Sequence, residues 1–244
     1  MSEILQTIML YTLIPIVTFV GGGILAAYRK PSPAFRSVIL HFSAGVIFSV
    51  VAVELLPDIV EKHRPFYVVV GFLAGIFLML MIKKFADKAE NKQKSSELIP
   101  KIPIAFVVAI GVDIFIDGLL LGIGFASGAK AGMLLAFAIA LEMFSMGMAV
   151  ASELTAEGIS KGKSVRHIVL LSSLFMVSAV LGGTLLQNLG DRWMELVLSF
   201  GLSALLYLVT EELLVKAHEE EDKPWYTFTF FLGFLVFLVL GMVV

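Results

Sequence analysis

Two aspartates, Asp113 and Asp117, lie one helical turn apart in the stretch VDIFIDG (112–118), inside an otherwise apolar run. Residues i and i+4 of a helix point in nearly the same direction, so both carboxylates face one partner. An ionised carboxylate in hydrocarbon costs about 2.5–3.5 kcal/mol even on a lenient insertion scale. Such a pair therefore indicates a functional site, whose chemistry is the binding of a cation or the transfer of protons.

A second pair with the same spacing, Glu142 and Met146, lies in the next apolar run. The short loop SGAKAG (127–132) joins the two runs, which predicts antiparallel neighbours with both pairs at the same depth. Small residues are expected to let these two helices approach closely: Gly111, Gly118, Gly122 and Gly124 on the first, and Gly147 and Ala149–Ala151 on the second.

Three carboxylates at one depth need a countercharge, and neither helix has a lysine, arginine or histidine there. Protons can neutralise them, or a divalent cation can do so while accepting oxygen ligands. The two can alternate, which would couple metal entry to proton release. We interpret Asp113, Asp117 and Glu142 as metal ligands. Met146 is either a fourth ligand or a packing residue, since methionine commonly fills cores.

Four further acids lie near helix ends. We expect Glu54 at the external mouth of an ion pathway through the bundle, and Glu211 and Glu212 at its internal mouth. Glu153 shares a helical face with Glu142 and Met146. Each acid is either a transient binding position for the transported ion or an ordinary charge at the membrane interface.

The composition predicts an all-α polytopic membrane protein. Of the 244 residues 59 % are hydrophobic and 16 % charged, whereas about 45–50 % of the residues of a soluble domain are apolar. The net charge of -2 offers no basic surface for nucleic acid. The chain has no cysteine, which excludes disulfides and thiolate metal sites.

The expected organisation is one transmembrane domain over residues 1–244, with a polar cytoplasmic loop at about 84–103. The first run begins behind MSE without a basic region, so we expect a retained span and not a signal peptide. About 20 apolar residues span a bilayer, and eight segments qualify: 4–28, 37–59, 66–83, 104–126, 132–152, 167–187, 193–215 and 225–244.

Lysine and arginine positions predict the orientation. One set of alternating loops holds 14 of the 18 basic residues, and the opposite set holds 4. Because cytoplasmic loops carry the excess of positive charge, both termini are expected on the extracytoplasmic side.

A weak internal repeat relates SAGVIFSVVAVELL (43–56) to GLSALLYLVTEELL (201–214), and it pairs Glu54 with Glu212. The two helices run in opposite directions. The repeat therefore predicts that helices 1–3 and 6–8 are related by inversion around helices 4 and 5, as is common in transporters. Fourteen residues of membrane sequence can also resemble each other by chance.

Over nearly its whole length the sequence resembles the ZIP (Zrt/Irt-like) family of divalent metal transporters. The resemblance rests on the eight spans and on HFSAGVIFSVVAVELLPD, DIFIDGLLLG, EMFSMGMAVASEL and LSALLYLVTEELL. The family pattern in helix 4 is His-Asn-x-x-Glu/Asp-Gly. Aligned on Gly118, Asp113 takes the histidine place and Ile114 the asparagine place. Asp117 then takes the acidic place.

The family pattern in helix 5 is His-Glu-x-x-Glu/His-Gly. Aligned on Gly147, Glu142 takes the histidine place and Met143 the glutamate place, with Met146 as the next ligand. Many members are implied to hold a second metal through the asparagine and that glutamate. Since Ile114 and Met143 cannot ligate a hard ion, the resemblance implies a single-metal site.

The resemblance also implies the substrate, the mechanism and the setting. The oxygen-rich ligand set favours Mn²⁺ or Fe²⁺, while the thioether favours the softer Zn²⁺ or Cd²⁺. One block of helices is expected to move past another, exposing the site to each side in turn. The expected setting is a prokaryotic inner membrane, the expected partners are the metal ion and the lipid bilayer and not nucleic acid, and a homodimer is the assembly that family members often form.

Other functions stay open. The lost histidines are also compatible with a diverged sensor or scaffold that does not transport. Asp113-x-x-x-Asp117 resembles half of the magnesium–diphosphate motif of membrane prenyltransferases, but the second acidic motif is missing. An intramembrane aspartyl protease would need aspartates on two facing helices and its own flanking motif. We therefore expect a transporter and not an enzyme.

Overall fold

The computed structural model describes residues 3–29, 31–94, 104–186, 189–218 and 223–243. Within these ranges eight helices are long and apolar enough to cross a membrane, which confirms the predicted number. They are α1 Glu3–Tyr28, α2 Pro33–Glu61, α3 Pro65–Lys94, α4 Ile104–Ser127, α5 Ala129–Ala156, α6 Lys161–Leu186, α7 Asp191–Ala217 and α8 Pro224–Val243.

The helices form an inner and an outer group. The membrane spans of α2, α4, α5 and α7 are each more than half buried, whereas α1, α3, α6 and α8 expose most of theirs. The exposed side chains of the outer helices are large and apolar, such as Phe77 on α3 and Phe231 on α8. This is the arrangement expected in lipid, where the outer surface needs no polar cover.

The polar loop predicted at about 84–103 is wrong in its first half. Helix α3 continues past the membrane segment to Lys94, so residues 84–94 are helical. Eight of these eleven residues are alanine, lysine, glutamate or glutamine, and all four are good helix formers. The second half of the predicted loop, residues 95–103, lies outside the described residues.

Helix pairing follows the symmetry that the internal repeat predicts. Helix α1 packs chiefly against α5 and α6 chiefly against α4, while α2 packs against α8 and α7 against α3. Exchange α1, α2 and α3 with α6, α7 and α8, and exchange α4 with α5. The α1–α5 pair then becomes the α6–α4 pair, and the α2–α8 pair becomes the α7–α3 pair. The inverted repeat is therefore present in the packing.

The same symmetry holds for individual residues. Gly233 of α8 lies against the carbonyl oxygen of Phe42 in α2, and Gly75 of α3 lies against the carbonyl oxygen of Phe200 in α7. Phe42 and Phe200 are 158 positions apart, as are Gly75 and Gly233, and Glu54 and Glu212. One offset thus relates the contacts of both halves.

Most of the glycines of α4 and α5 do not join these two helices, contrary to the expectation. Gly118 and Gly122 lie against the backbone of α6, and Gly147 lies against the backbone of α1. Gly124 is the one that faces α5, near Gly132. Glycine allows close approach, but a single sequence does not tell which helix approaches.

Both repeat helices of the inner group contain a π-helical segment, Val51–Leu55 in α2 and Leu208–Leu213 in α7. Under the 158-residue offset the two segments end at equivalent residues and differ by one residue at their start, and they contain Glu54 and Glu212. Pro57 follows the first segment and weakens its hydrogen bonding, but α7 has no proline. Since π-segments often occur at functional sites, the shared feature points to the two glutamates.

Replacing Gly122 by alanine should lower the free energy of unfolding by about 1–3 kcal/mol, because the new methyl group would collide with backbone atoms of Ala179 and Gly183 in α6. Gly21→Ala is the matched control, since nothing lies within 4 Å of its added carbon. That change should stabilise α1 by up to about 1 kcal/mol. Thermal unfolding in detergent measures both, and equal melting temperatures would contradict this α4–α6 packing.

Candidate metal site

A cavity of about 250 Å³ lies between α2, α4, α5 and α7. Its deep end is lined by Asp113, Glu142 and Met146, and its mouth lies beside the exposed side chains of Glu153 and Lys216. A volume of this size has room for an ion with several of its waters. Its other lining residues include Arg36, Leu40, Ile110, Ser145, Ala149, Ser152, Leu208, Glu212 and Leu213.

Two of the predicted ligands are buried carboxylates with oxygens that lack a hydrogen-bond donor among the described residues. Asp117 and Glu142 are each 1 % exposed. No donor within the described part of the chain bonds to Oδ2 of Asp117 or to either carboxylate oxygen of Glu142. A buried polar group left unpaired is costly, and an unpaired charge is costlier still. These oxygens need a proton or a cation.

Helix α5 lines one wall of the cavity. Glu142, Met146, Ala149 and Glu153 all contribute to it, as their spacing along the sequence indicates. Met146 is only 8 % exposed, so its thioether faces the cavity from a packed position. The wall runs from the buried Glu142 to the exposed Glu153, so that a carboxylate lies at each end of it.

Asp113 and Asp117 occupy different positions although they lie one turn apart. Asp113 is partly exposed and lines the cavity, whereas Asp117 is buried behind the lining. Both carboxylates interact electrostatically with Glu142. Nevertheless, among the residues that the structure describes, no three histidine, aspartate or glutamate side chains are grouped closely enough to hold a metal ion. An ion in this cavity would keep water ligands or draw the carboxylates out of their present rotamers.

The structure separates Glu211 from Glu212. Glu212 lines the cavity, and its Oε2 lies 3.6 Å from Nζ of Lys216. Glu211 is exposed and accepts a hydrogen bond of 3.0 Å from Lys83 of α3, outside the cavity lining. Of the two acids predicted at the internal mouth, only Glu212 therefore lines the cavity.

Glu54 lies at the opposite end of the bundle. Its Oε1 is 3.5 Å from Nζ of Lys130, and its side chain is only 13 % exposed. The same Lys130 ammonium donates a hydrogen bond of 2.6 Å to the carbonyl oxygen of Gly241. This cluster ties α2, α5 and α8 together at the end away from the cavity mouth.

The basic residues of the cavity were not predicted from the sequence. Lys216 and Arg36 counted only as loop charges that set the orientation, but both line the cavity. The available signal was the i, i+4 spacing of Glu212 and Lys216 on one helix. It becomes informative only once α7 is known to continue to Ala217.

Comparison with known proteins decides the family. The sequence profile described as ZIP Zinc transporter matches residues 86–244, a range that includes all four predicted ligands and well over half of the chain. The chain belongs to the ZIP family. Its members are metal transporters and not enzymes, so the prenyltransferase and protease alternatives are set aside.

Two bacterial members of the ZIP family are similar to this chain. The zinc transporter ZupT of Clostridium perfringens (strain 13 / Type A) is 23 % identical over 273 aligned positions, which cover 98 % of this chain and 96 % of that protein. The zinc transporter ZupT of Corynebacterium aurimucosum is 30 % identical over 83 positions, which cover 30 % of this chain and 31 % of that protein. The first similarity extends over the whole eight-helix bundle.

Proposed function

We propose that this ZIP protein carries divalent transition-metal ions across the membrane through a single site at mid-bilayer depth. The observation that carries the proposal is a pair of buried carboxylates, Asp117 and Glu142. Within the described residues no donor bonds to Oδ2 of Asp117 or to either carboxylate oxygen of Glu142. Glu142 lines the deep end of an open cavity, and Asp117 lies behind that lining. An ion that loses its waters there gains carboxylate ligands, and the carboxylates gain a countercharge.

In the proposed site Asp113, Asp117 and Glu142 provide oxygen ligands and Met146 provides sulfur. One metal is expected, because Ile114 and Met143 are apolar and at most 1 % exposed. The candidate substrates are Zn²⁺, Fe²⁺, Mn²⁺ and Cd²⁺. The oxygen ligands favour Mn²⁺ and Fe²⁺, whereas the thioether and the names of both relatives favour Zn²⁺.

Alternating access is the proposed mechanism. The cavity gives the site an opening at one end, and the Glu54–Lys130 ion pair with the Gly241 carbonyl joins three helices at the other. Opening that second end would require this cluster to separate. When the ion leaves, protons are proposed to replace it on the carboxylates, which links metal movement to a proton gradient.

The proposed setting follows the distribution of basic residues. The cavity mouth, at the first turn of α2 and the last turns of α5 and α7, would face the cytoplasm, with both termini outside. We further propose that the protein resides in a prokaryotic cell membrane, consists of a single transporter domain and forms a homodimer. The bacterial source of both relatives supports the first of these.

Uptake into proteoliposomes tests the function. Purified protein is reconstituted, and Zn²⁺, Fe²⁺, Mn²⁺ and Cd²⁺ are supplied one at a time, with and without a pH gradient. The proposal expects saturable uptake above that of protein-free liposomes. A metal sensor or scaffold is the second candidate, favoured by the absence of a closed three-acid cluster among the described residues. Metal binding without uptake would establish it.

Cysteine labelling tests the orientation of the cavity, and the absence of native cysteine removes any background. Ser152→Cys in the cavity lining should react with a membrane-impermeant maleimide in inside-out vesicles but not in intact cells. Glu61→Cys, at an exposed position at the opposite end, should react only in intact cells. The reverse pattern would overturn the proposed orientation.

A further inference from the structure

We infer that Lys216 acts as a built-in countercation, whose ammonium group compensates the cavity carboxylates when no metal is bound and competes with the metal for them. The inference rests on the proposed function, since it needs the metal to bind in this cavity. Lys216 thereby lowers the affinity of the open cavity for its metal ion.

The position of Lys216 is the first support. The residue lies on the last turn of α7, lines the same cavity as Asp113 and Glu142, and pairs with Glu212 at 3.6 Å. Its charge also acts on Asp113 and Glu142 deeper in the cavity. A lysine is a compact charge on a flexible four-carbon stem, so the ammonium can follow the acids as their charge changes.

The charge balance of the cavity is the second support. Its described lining contains four carboxylates, Asp113, Glu142, Glu153 and Glu212, and two cations, Arg36 and Lys216. The Lys216 side chain is 48 % exposed, so water and salt screen it in part. The carboxylates nevertheless lie in a less polar surrounding than water, where a nearby cation interacts more strongly.

A divalent ion at Glu142 would place two positive charges close to the ammonium. The repulsion weakens binding from the open side, and those cavity carboxylates that stay ionised attract the ammonium again once the ion has left. Both effects favour release over retention. Removing the positive charge should therefore produce tighter binding, a direction that loss of a merely structural contact would not produce.

The test is a Zn²⁺ affinity measurement on the purified full-length protein by competition with a chromophoric chelator. Lys216→Gln and Lys216→Met should bind Zn²⁺ about three- to tenfold more tightly than the wild type, a free-energy change of up to about 1.4 kcal/mol. Lys216→Arg, which keeps the charge, should bind like the wild type. The gain should shrink at about 1 M salt, where the Debye length is only about 3 Å.

Lys83→Gln is the matched control. Lys83 also pairs with a glutamate of α7, Glu211 at 3.0 Å, but it lies outside the cavity lining, so its loss should leave Zn²⁺ affinity unchanged. Unchanged or weaker binding by both neutral Lys216 variants, with intact wild-type binding, would overturn the inference alone. No Zn²⁺ binding by the wild type would overturn the proposed zinc site and the inference together.

Discussion

Glu142→Gln and Asp117→Asn should each lower Zn²⁺ affinity by at least about 100-fold, while the protein stays folded. Each change keeps the volume of the side chain, removes its negative charge and puts an amide nitrogen in place of one oxygen. A loss of 100-fold corresponds to about 2.7 kcal/mol, which is a modest expectation for a charged ligand in a site shielded from water. Isothermal titration of the purified variants measures it.

The chain provides a matched control for these variants. Glu195 of α7 is also fully buried, and within the described residues neither of its oxygens has a hydrogen-bond partner. It does not line the cavity. Glu195→Gln therefore makes the same chemical change at a buried position near the start of α7, where Lys62 and Arg64 act on the carboxylate, and it should leave Zn²⁺ affinity unchanged. A general effect of neutralising a buried acid would affect all three variants alike.

Stability in the absence of metal provides a second readout. A buried carboxylate without a partner is costly to the folded state, so the metal-free Glu142→Gln variant should melt no lower than the wild type. Added Zn²⁺ should raise the melting temperature of the wild type and not that of the variant, since only a bound ligand stabilises by mass action. Wild-type affinity in either Glu142→Gln or Asp117→Asn would rule out the ligand assignment.

The membrane architecture follows from the sequence because its signals are local. About 20 apolar residues are needed for each span, and every span in this chain meets that length. The inverted repeat was a weak signal in 14 residues of sequence, but it is clear in the structure. There, Phe42 and Gly233 are repeated as Phe200 and Gly75 in a different pair of helices.

The partners of each helix could not be predicted, because they depend on packing between distant segments. Gly118 and Gly122 indicated a close approach to another helix, but nothing in their spacing distinguished α6 from α5. For a similar reason the sequence could not tell which of the neighbouring Glu211 and Glu212 faces the cavity. Both lie in the π-helical segment Leu208–Leu213, where an assignment of faces based on 3.6 residues per turn loses its phase.

The charge balance of the site also could not be predicted from the sequences of α4 and α5 alone. These helices have no basic residue at the depth of Asp113 and Glu142, but the cavity is shared with α2 and α7, which contribute Arg36 and Lys216. A countercharge can come from any helix that lines a cavity. Which helices do so is a property of the folded bundle.

The double variant Ile114→Asn with Met143→Glu should bind two metal ions where the wild type binds one. The two side chains directly follow Asp113 and Glu142 in sequence and occupy the places that the ZIP pattern gives to an asparagine and a glutamate. Both are at most 1 % exposed and lie outside the cavity lining. The new polar groups should therefore destabilise the metal-free protein, by about 1–3 kcal/mol each.

Bound metal should restore the stability that the double variant loses, because each new oxygen then coordinates the ion instead of staying buried without a partner. At an ion concentration of about 100 times the dissociation constant, binding at the added position should return about 2.7 kcal/mol of stability. The single variants are the controls: each should keep one ion per chain and remain destabilised. Elemental analysis of the folded double variant that still gives one ion per chain would contradict the alignment of α4 and α5 with the family pattern. It would also remove the reason for proposing a single ion at this site.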